Sequence, residues 1–323
     1  MNLEWKMRIF HQLMKLTGQG QFHKSTPEAL RAQEKIGQGW IADMIFGKVI
    51  PLPKVEDMAI NGRSAPIPIR VYRPTLAEKR PLLIYFHGGG WVIGNLNSHD
   101  RVCRNMAHHT GRVVVAVDYR LAPENKYPAA VEDAWDALHW AAENGASIGA
   151  DTTDIAVAGD SAGGNLSAVL CQKARDSQTA PRISKQVLIY PAVDLTKTYP
   201  STYKFAEAPI LNKKAMDWFG EQYVTQDEDR FEPDCSPLLG RLENLPPAMI
   251  VTAEFDPLLD QGIAYAKALE SVNNVVNYKA YARQVHGFFN IAQFSSKSTE
   301  AYQDIASFLQ EKISESPPIE AVL

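Results

Sequence analysis

The sequence predicts an α/β fold, a mostly parallel central sheet flanked by helices. Two observations carry this. Short apolar runs recur along the chain: LLIYF (82–86), VVVAVD (113–118), IAVAG (155–159), VLIY (187–190), MIVTA (249–253) and VNYKAY (276–281). Between most of them lie stretches long enough for a helix, such as 127–144, 162–177 and 258–272. Strands that are apolar throughout are strands buried on both faces, and their alternation with helices is the signature of a parallel sheet.

The elements follow in chain order. Leu3, Met7, Phe10 and Met14 fall on one face of a helix, and Thr26-Pro27-Glu28 reads as an N-cap with proline in the first turn of a second. The first ~46 residues are thus expected to form two helices packed on the protein's own body. Lys6, Arg8 and Lys15 on the first of them make a membrane surface the rival partner. Beyond Pro51 the pattern alternates. KVEDMAI (54–60) and APIPIRVY (65–72) read as paired strands around Asn61-Gly62. The stretch 195–230 breaks the strand rhythm. It is rich in aromatic and charged residues and offers no strand before Pro233, so a helical insertion beside the sheet is expected. No internal repeat, low-complexity tract or flexible linker stands out.

Composition narrows the function classes. The chain has 323 residues, with 33 basic against 37 acidic side chains and a net charge of −4. A nucleic-acid binder would carry a basic footprint. No apolar run reaches the roughly 18 residues of a membrane span, and charges interrupt the N-terminal apolar residues where a signal peptide would be continuous. Three cysteines, Cys103, Cys171 and Cys235, are far apart and form neither a disulfide framework nor a CxxC site. The expected compartment is the cytoplasm.

Three groups of residues carry chemistry. Gly159-Asp160-Ser161-Ala162-Gly163 fits G-x-S-x-G, follows a strand and opens a helix. A tight strand-to-helix turn of this kind pushes a serine hydroxyl outward. The bare pattern arises by chance roughly 0.1 times in such a chain, so its context gives it meaning. His87-Gly88-Gly89-Gly90 follows the strand LLIYF. Glycine amides there can face a developing oxyanion together with the amide after the nucleophile, as in α/β-hydrolases. The expected donors are Gly88, Gly89 and Ala162. A phosphate cradle would need G-x-x-x-x-G-K-[ST] or G-x-G-x-x-G, and neither occurs. His87 is expected to hold its loop rather than move protons.

A serine needs a base to take its proton. In this fold the order is serine, acid, histidine. Of eight histidines only His286 follows Ser161, a short turn beyond VNYKAY. Asp256, just past MIVTA, is the expected orienter of its ring. Asp-Pro at a helix start is equally a capping signature, and a carboxylate has two oxygens to divide between both tasks. Glu254 and Asp260 are the fallbacks. His108-His109 lacks H-E-x-x-H, so no metal site is expected.

With these residues assembled, the chain resembles the hormone-sensitive-lipase-like family of α/β-hydrolase carboxylesterases, the bacterial acetyl esterases in particular. The resemblance runs from about residue 65 to 310. It rests on HGGGWVIGNLNSHD (87–100), DYRLAPE (118–124), YPAAVEDA (127–134), GDSAGGNL (159–166), AEFDPLLD (253–260) and HGF (286–288). It implies catalytic Ser161, Asp256 and His286, an oxyanion hole at Gly88, Gly89 and Ala162, and hydrolysis of short-chain acyl esters without a cofactor. It further implies cap helices at 1–48, with 49–323 as the catalytic domain and a cap insertion at about 195–230. Glu124 and Asp133 match family positions that look structural. The partner is a small-molecule ester, with no nucleic acid and no transmembrane span, and homo-oligomer formation is left open. The family usually shows Tyr-x-Gly-x-x-His before the histidine, whereas this chain has Arg283 in place of the glycine. That departure predicts a different turn before His286, or a guanidinium reaching solvent beside the site. Two alternatives to an esterase remain: a non-catalytic small-molecule receptor on the same fold, which resembles this family but has lost the base, and an amidase or lipase that keeps the triad.

Overall fold

The computed structural model describes residues 1–17, 20–33 and 40–311, without the side chains of 17, 33, 40 and 41. Residues 18–19, 34–39 and 312–323 of the expected 1–48 and 49–323 units lie outside the described residues. Eight strands form one sheet: β1 (Lys54–Asn61), β2 (Pro66–Arg73), β3 (Arg80–Phe86), β4 (Val113–Val117), β5 (Ala150–Asp160), β6 (Ile183–Ile189), β7 (Ala248–Phe255) and β8 (Val276–Val285). Their order is β1-β2-β4-β3-β5-β6-β7-β8. β1 pairs β2, and β2 pairs β4, antiparallel; the other pairings are parallel. The β1–β2 hairpin turns where Asn61-Gly62 stands, with the Gly62 amide donating to the Ala65 carbonyl.

Side-chain alternation divides the core in two. Leu82, Ile84, Phe86, Val113, Val115 and Val157 face one side, against α5 (Ala129–Asn144), α6 (Ala162–Asp176) and α9 (Leu259–Ser271). Leu83, Tyr85, Val114, Ala116, Ala158 and Val187 face the other, against α4 (Asp100–Thr110) and α10 (Ser298–Gln310). Both faces being covered is why these strands read as unbroken apolar runs.

Among the described residues the N-terminal segment holds the helical stretches α1 (Trp5–Thr17), α2 (Pro27–Gln33) and α3 (Trp40–Phe46). Leu3 and Met7 are buried in the second core face, and the Thr26 hydroxyl accepts the Ala29 amide at the start of α2. Between β6 and β7 the stretch 195–230 holds α7 (Pro200–Lys204) and α8 (Lys213–Tyr223). One expectation needs correction. No turn separates the strand at 276–281 from His286. β8 continues to Val285 through an irregular register opposite Ala253–Phe255, and Arg283 takes φ +64°.

Candidate active site

Ser161 sits at the C-terminal edge of the sheet, between β5 and α6, with φ +55°. A non-glycine residue is held in this sparsely populated region only where its surroundings enforce it. Here the Ser161 amide donates to the Ile189 carbonyl at 2.8 Å. Glycine at 163 lets the helix start lie directly on β3, since a Cβ there would overlap the Phe86 carbonyl. As the residue before a helix, a serine would ordinarily cap it, yet its side chain makes no cap bond. The hydroxyl instead lies 3.0 Å from His286 Nε2.

His286 follows the end of β8 and is almost entirely buried. Its Nδ1 lies 2.8 Å from Asp256 Oδ2. The tautomer with its proton on Nδ1 fits both contacts: it donates to the carboxylate and leaves Nε2 to accept from the serine hydroxyl. Asp256 is fully buried just beyond β7, and its other oxygen, Oδ1, accepts the Leu258 amide at 2.8 Å. The two carboxylate oxygens therefore divide the orienting and loop-holding tasks. The fallback acids are engaged elsewhere: Glu254 accepts the Arg283 amide and Asp260 the Ser201 amide.

The glycine loop departs from expectation at one position. The Gly88 amide donates to Asp160 Oδ1 at 2.9 Å, so it is committed to a carboxylate and is not available to an oxyanion. The close approach needs glycine, because a Cβ at 88 would press on that same carboxylate. Among the described residues the amides of Gly89, Gly90 and Ala162 have no hydrogen-bond acceptor.

Asp160, the variable residue of the G-x-S-x-G motif, organises the floor of the site. Burial alone would raise its carboxyl, but His99, the Tyr85 hydroxyl and the Gly88 amide together hold it below the usual carboxylate range. Its signal in the sequence is faint, since nothing in G-D-S tells where the side chain turns. Burial pushes the His87 imidazole down to about 3, with His99 adding to the effect. His87 stays neutral, donates from Nδ1 to the Gly88 carbonyl at 2.8 Å, and stacks on Tyr119. Tyr190, at the end of β6, is a second residue that sequence reasoning missed; its ring centroid stands 4.5 Å from that of His286.

Two segments lean over this edge. From the insertion, Phe219 of α8 lies against Gly90, Ile210 lies against Gly287, and Tyr223 stacks on Trp91. From the N-terminal segment, Phe22 packs on Phe219. Arg31 of α2 donates to the carbonyls of Val92 and Ala122 and pairs with both oxygens of Glu124. Glu124 thus receives a helix, while Asp133 receives the Arg120 side chain and amide, structural partnerships in both cases.

These features, a serine on a strained strand-to-helix turn with acid and histidine following in order, define an α/β hydrolase. The family described as having the alpha/beta hydrolase fold matches residues 83–290, and the chain belongs to it, in its hormone-sensitive-lipase-like branch. It is 42% identical over 266 residues to the carboxylic ester hydrolase LipN of Mycobacterium tuberculosis, covering 80% of this chain and 71% of that protein. It is 36% identical over 277 residues to an ethyl acetate hydrolase of Pseudomonas putida, covering 84% and 86%. Among solved structures, a hyperthermophilic esterase of Pyrobaculum calidifontis superposes with a TM-score of 0.87 at 41% identity, covering 96% of this chain and 98% of that one. These likenesses place the chain among the carboxylic ester hydrolases. No helix of the described residues is long and apolar enough to cross a membrane.

Proposed function

We propose that this carboxylesterase hydrolyses short-chain acyl esters through an acyl-enzyme on Ser161, with His286 as base and Asp256 as its orienter. The observation that carries this is the unbroken relay from Asp256 Oδ2 through the imidazole to Ser161 Oγ, at 2.8 and 3.0 Å. As His286 Nε2 takes the hydroxyl proton, Oγ forms a bond to the ester carbonyl carbon. The carbonyl oxygen gathers negative charge beside Gly89 and Ala162, with the Gly90 amide next to them; Gly88 shapes the loop instead of donating. Collapse breaks the bond to the alkoxy oxygen, which leaves as alcohol with the proton from Nε2. Water then enters, gives its proton to the same nitrogen and releases the acid. Retention of a base in reach of the serine favours this over a non-catalytic receptor. The leaning segments, α1–α3 and the 195–230 insertion, act as the cap that sets acyl length.

Turnover of p-nitrophenyl acetate by Ser161→Ala tests the reading. A loss of about 10⁴–10⁶ in kcat is expected, together with loss of fluorophosphonate labelling; near-wild-type turnover overturns it. In an acetyl-to-longer series of p-nitrophenyl esters the rate should fall with chain length, and a steady rise would point to a lipase.

A further inference from the structure

The outer face of α1 is apolar and, among the described residues, exposed. A helix lying on a protein body needs one apolar stripe, and α1 has that stripe in Met7, Phe10 and Met14: Met7 is fully buried, and Phe10 packs on Phe294 with ring centroids 5.0 Å apart. Trp5, Ile9, Leu13 and Leu16 form a second stripe at helical spacing on the opposite, solvent side, with Trp5 64% and Leu16 83% exposed. Among the described residues, seven of the eleven large apolar side chains left exposed lie in the first 49 positions. That is a concentration rather than the usual scatter of single surface hydrophobes.

Charge says what this face would meet. At 100° per residue, Lys6 borders the outer stripe on one side and Arg8 and Lys15 on the other, and α1 contains no acidic residue. Glu4, just before it, is occupied by Gln284 and Ser296. The first 49 residues carry seven basic against four acidic side chains, whereas the remainder carries 26 against 33. An apolar stripe with an aromatic residue, edged by cations on an otherwise acidic protein, matches an anionic lipid surface. A second copy of the chain paired through this face would bring like charges together.

We infer that α1 is an interfacial docking helix, which lays Trp5, Ile9, Leu13 and Leu16 into the headgroup region of an anionic lipid surface while its inner stripe stays on the body. The inference does not depend on the assignment of the catalytic residues, and vesicle binding reads it without turnover. The full-length protein is co-sedimented with phosphatidylcholine vesicles with and without phosphatidylglycerol, at low and high salt. Binding to the anionic vesicles, weakened by salt, is expected. Lys6→Gln with Arg8→Gln and Lys15→Gln should weaken it by about a hundredfold, and Ile9→Gln with Leu16→Gln should weaken it at both salt levels. Both variants should keep the wild-type thermal midpoint. Absence of binding at low salt overturns the inference, as does binding that neither variant alters. So does a wild-type oligomer, seen by light scattering, that Leu16→Gln dissociates, because a second copy then covers the face.

Discussion

The sheet edge that carries Ser161 and the N-terminal helices that lean over it are built by different means. At the edge, backbone lies on backbone: the start of α6 rests on the last carbonyl of β3 at Gly163, and the Gly88 amide rests on a buried carboxylate. The N-terminal helices are joined to the same body by one apolar stripe and by long charged side chains. Arg31 reaches in from α2 to Val92, Ala122 and Glu124, and Arg283 reaches out from β8 to the carbonyls of Asn2 and Leu3. Close backbone contact fixes geometry and tolerates no added atom. Side-chain clasps hold position yet can be altered one at a time.

The first way to break this contrast is the harshest. In Gly163→Ala the new methyl group meets the Phe86 and His87 carbonyls, and no flexible side chain is there to give way. A loss of about 3–5 kcal/mol, or failure to accumulate as folded protein, is expected in urea unfolding. Gly111→Ala is the control. Nothing lies within 4 Å of the added carbon, but φ is +68°, so only the backbone term of about 1 kcal/mol should appear. Equal effects would mean that close packing is not what holds the serine turn.

A second test titrates the floor of the site. His87 is fully buried and its imidazole lies at about 3, against an ordinary 6.5. The folded value lies below the unfolded one, so the native state binds fewer protons. The contribution of His87 to stability is therefore complete above pH 6.5 and is lost as pH falls from there toward 3. Within that window it should decline by about 1.4 kcal/mol per pH unit. Urea midpoints measured across the window should fall less steeply in His87→Asn than in wild type. Parallel curves would mean that His87 takes up its proton in the folded state.

Much of this architecture is legible in the linear sequence, for a physical reason. β3 to β7 are covered on both faces, so their positions survive as apolar runs, and G-x-S-x-G with a single later histidine leaves one arrangement of the relay. What is not legible is set by tertiary partners. The end of β8, Ala282-Arg283-Gln284-Val285, reads as a turn because two of its four side chains are polar; those two are polar because they face Asn2, Leu3 and Glu4, across 280 residues of chain. Which glycine amide stays open depends on where Asp160 turns its carboxylate, and no spacing rule reports that. The outer stripe of α1 was hidden in a different way. Leu3, Met7, Phe10 and Met14 already satisfied one helical face, and the second set of apolar residues shows its orientation only once the first is packed.

The finest test of the contrast is Arg283→Gly. The position adopts φ +64°, which glycine accepts freely and an arginine holds at a cost of about 1 kcal/mol. Against that stand two donor bonds from the guanidinium, at 3.0 Å to the Asn2 carbonyl and 3.1 Å to that of Leu3. These are partly exposed bonds from a charged donor to neutral acceptors, together worth about the same amount. The two terms oppose each other, so global stability should stay within about 0.5 kcal/mol of wild type. The readout that separates a clasp from mere filler is local. Amide hydrogen exchange across α1 should quicken in Arg283→Gly while the amides of β5 and β7 keep their protection. Unchanged exchange in α1 would mean that the inner stripe alone holds the helix, and that an arginine is carried in a left-handed backbone conformation without structural return.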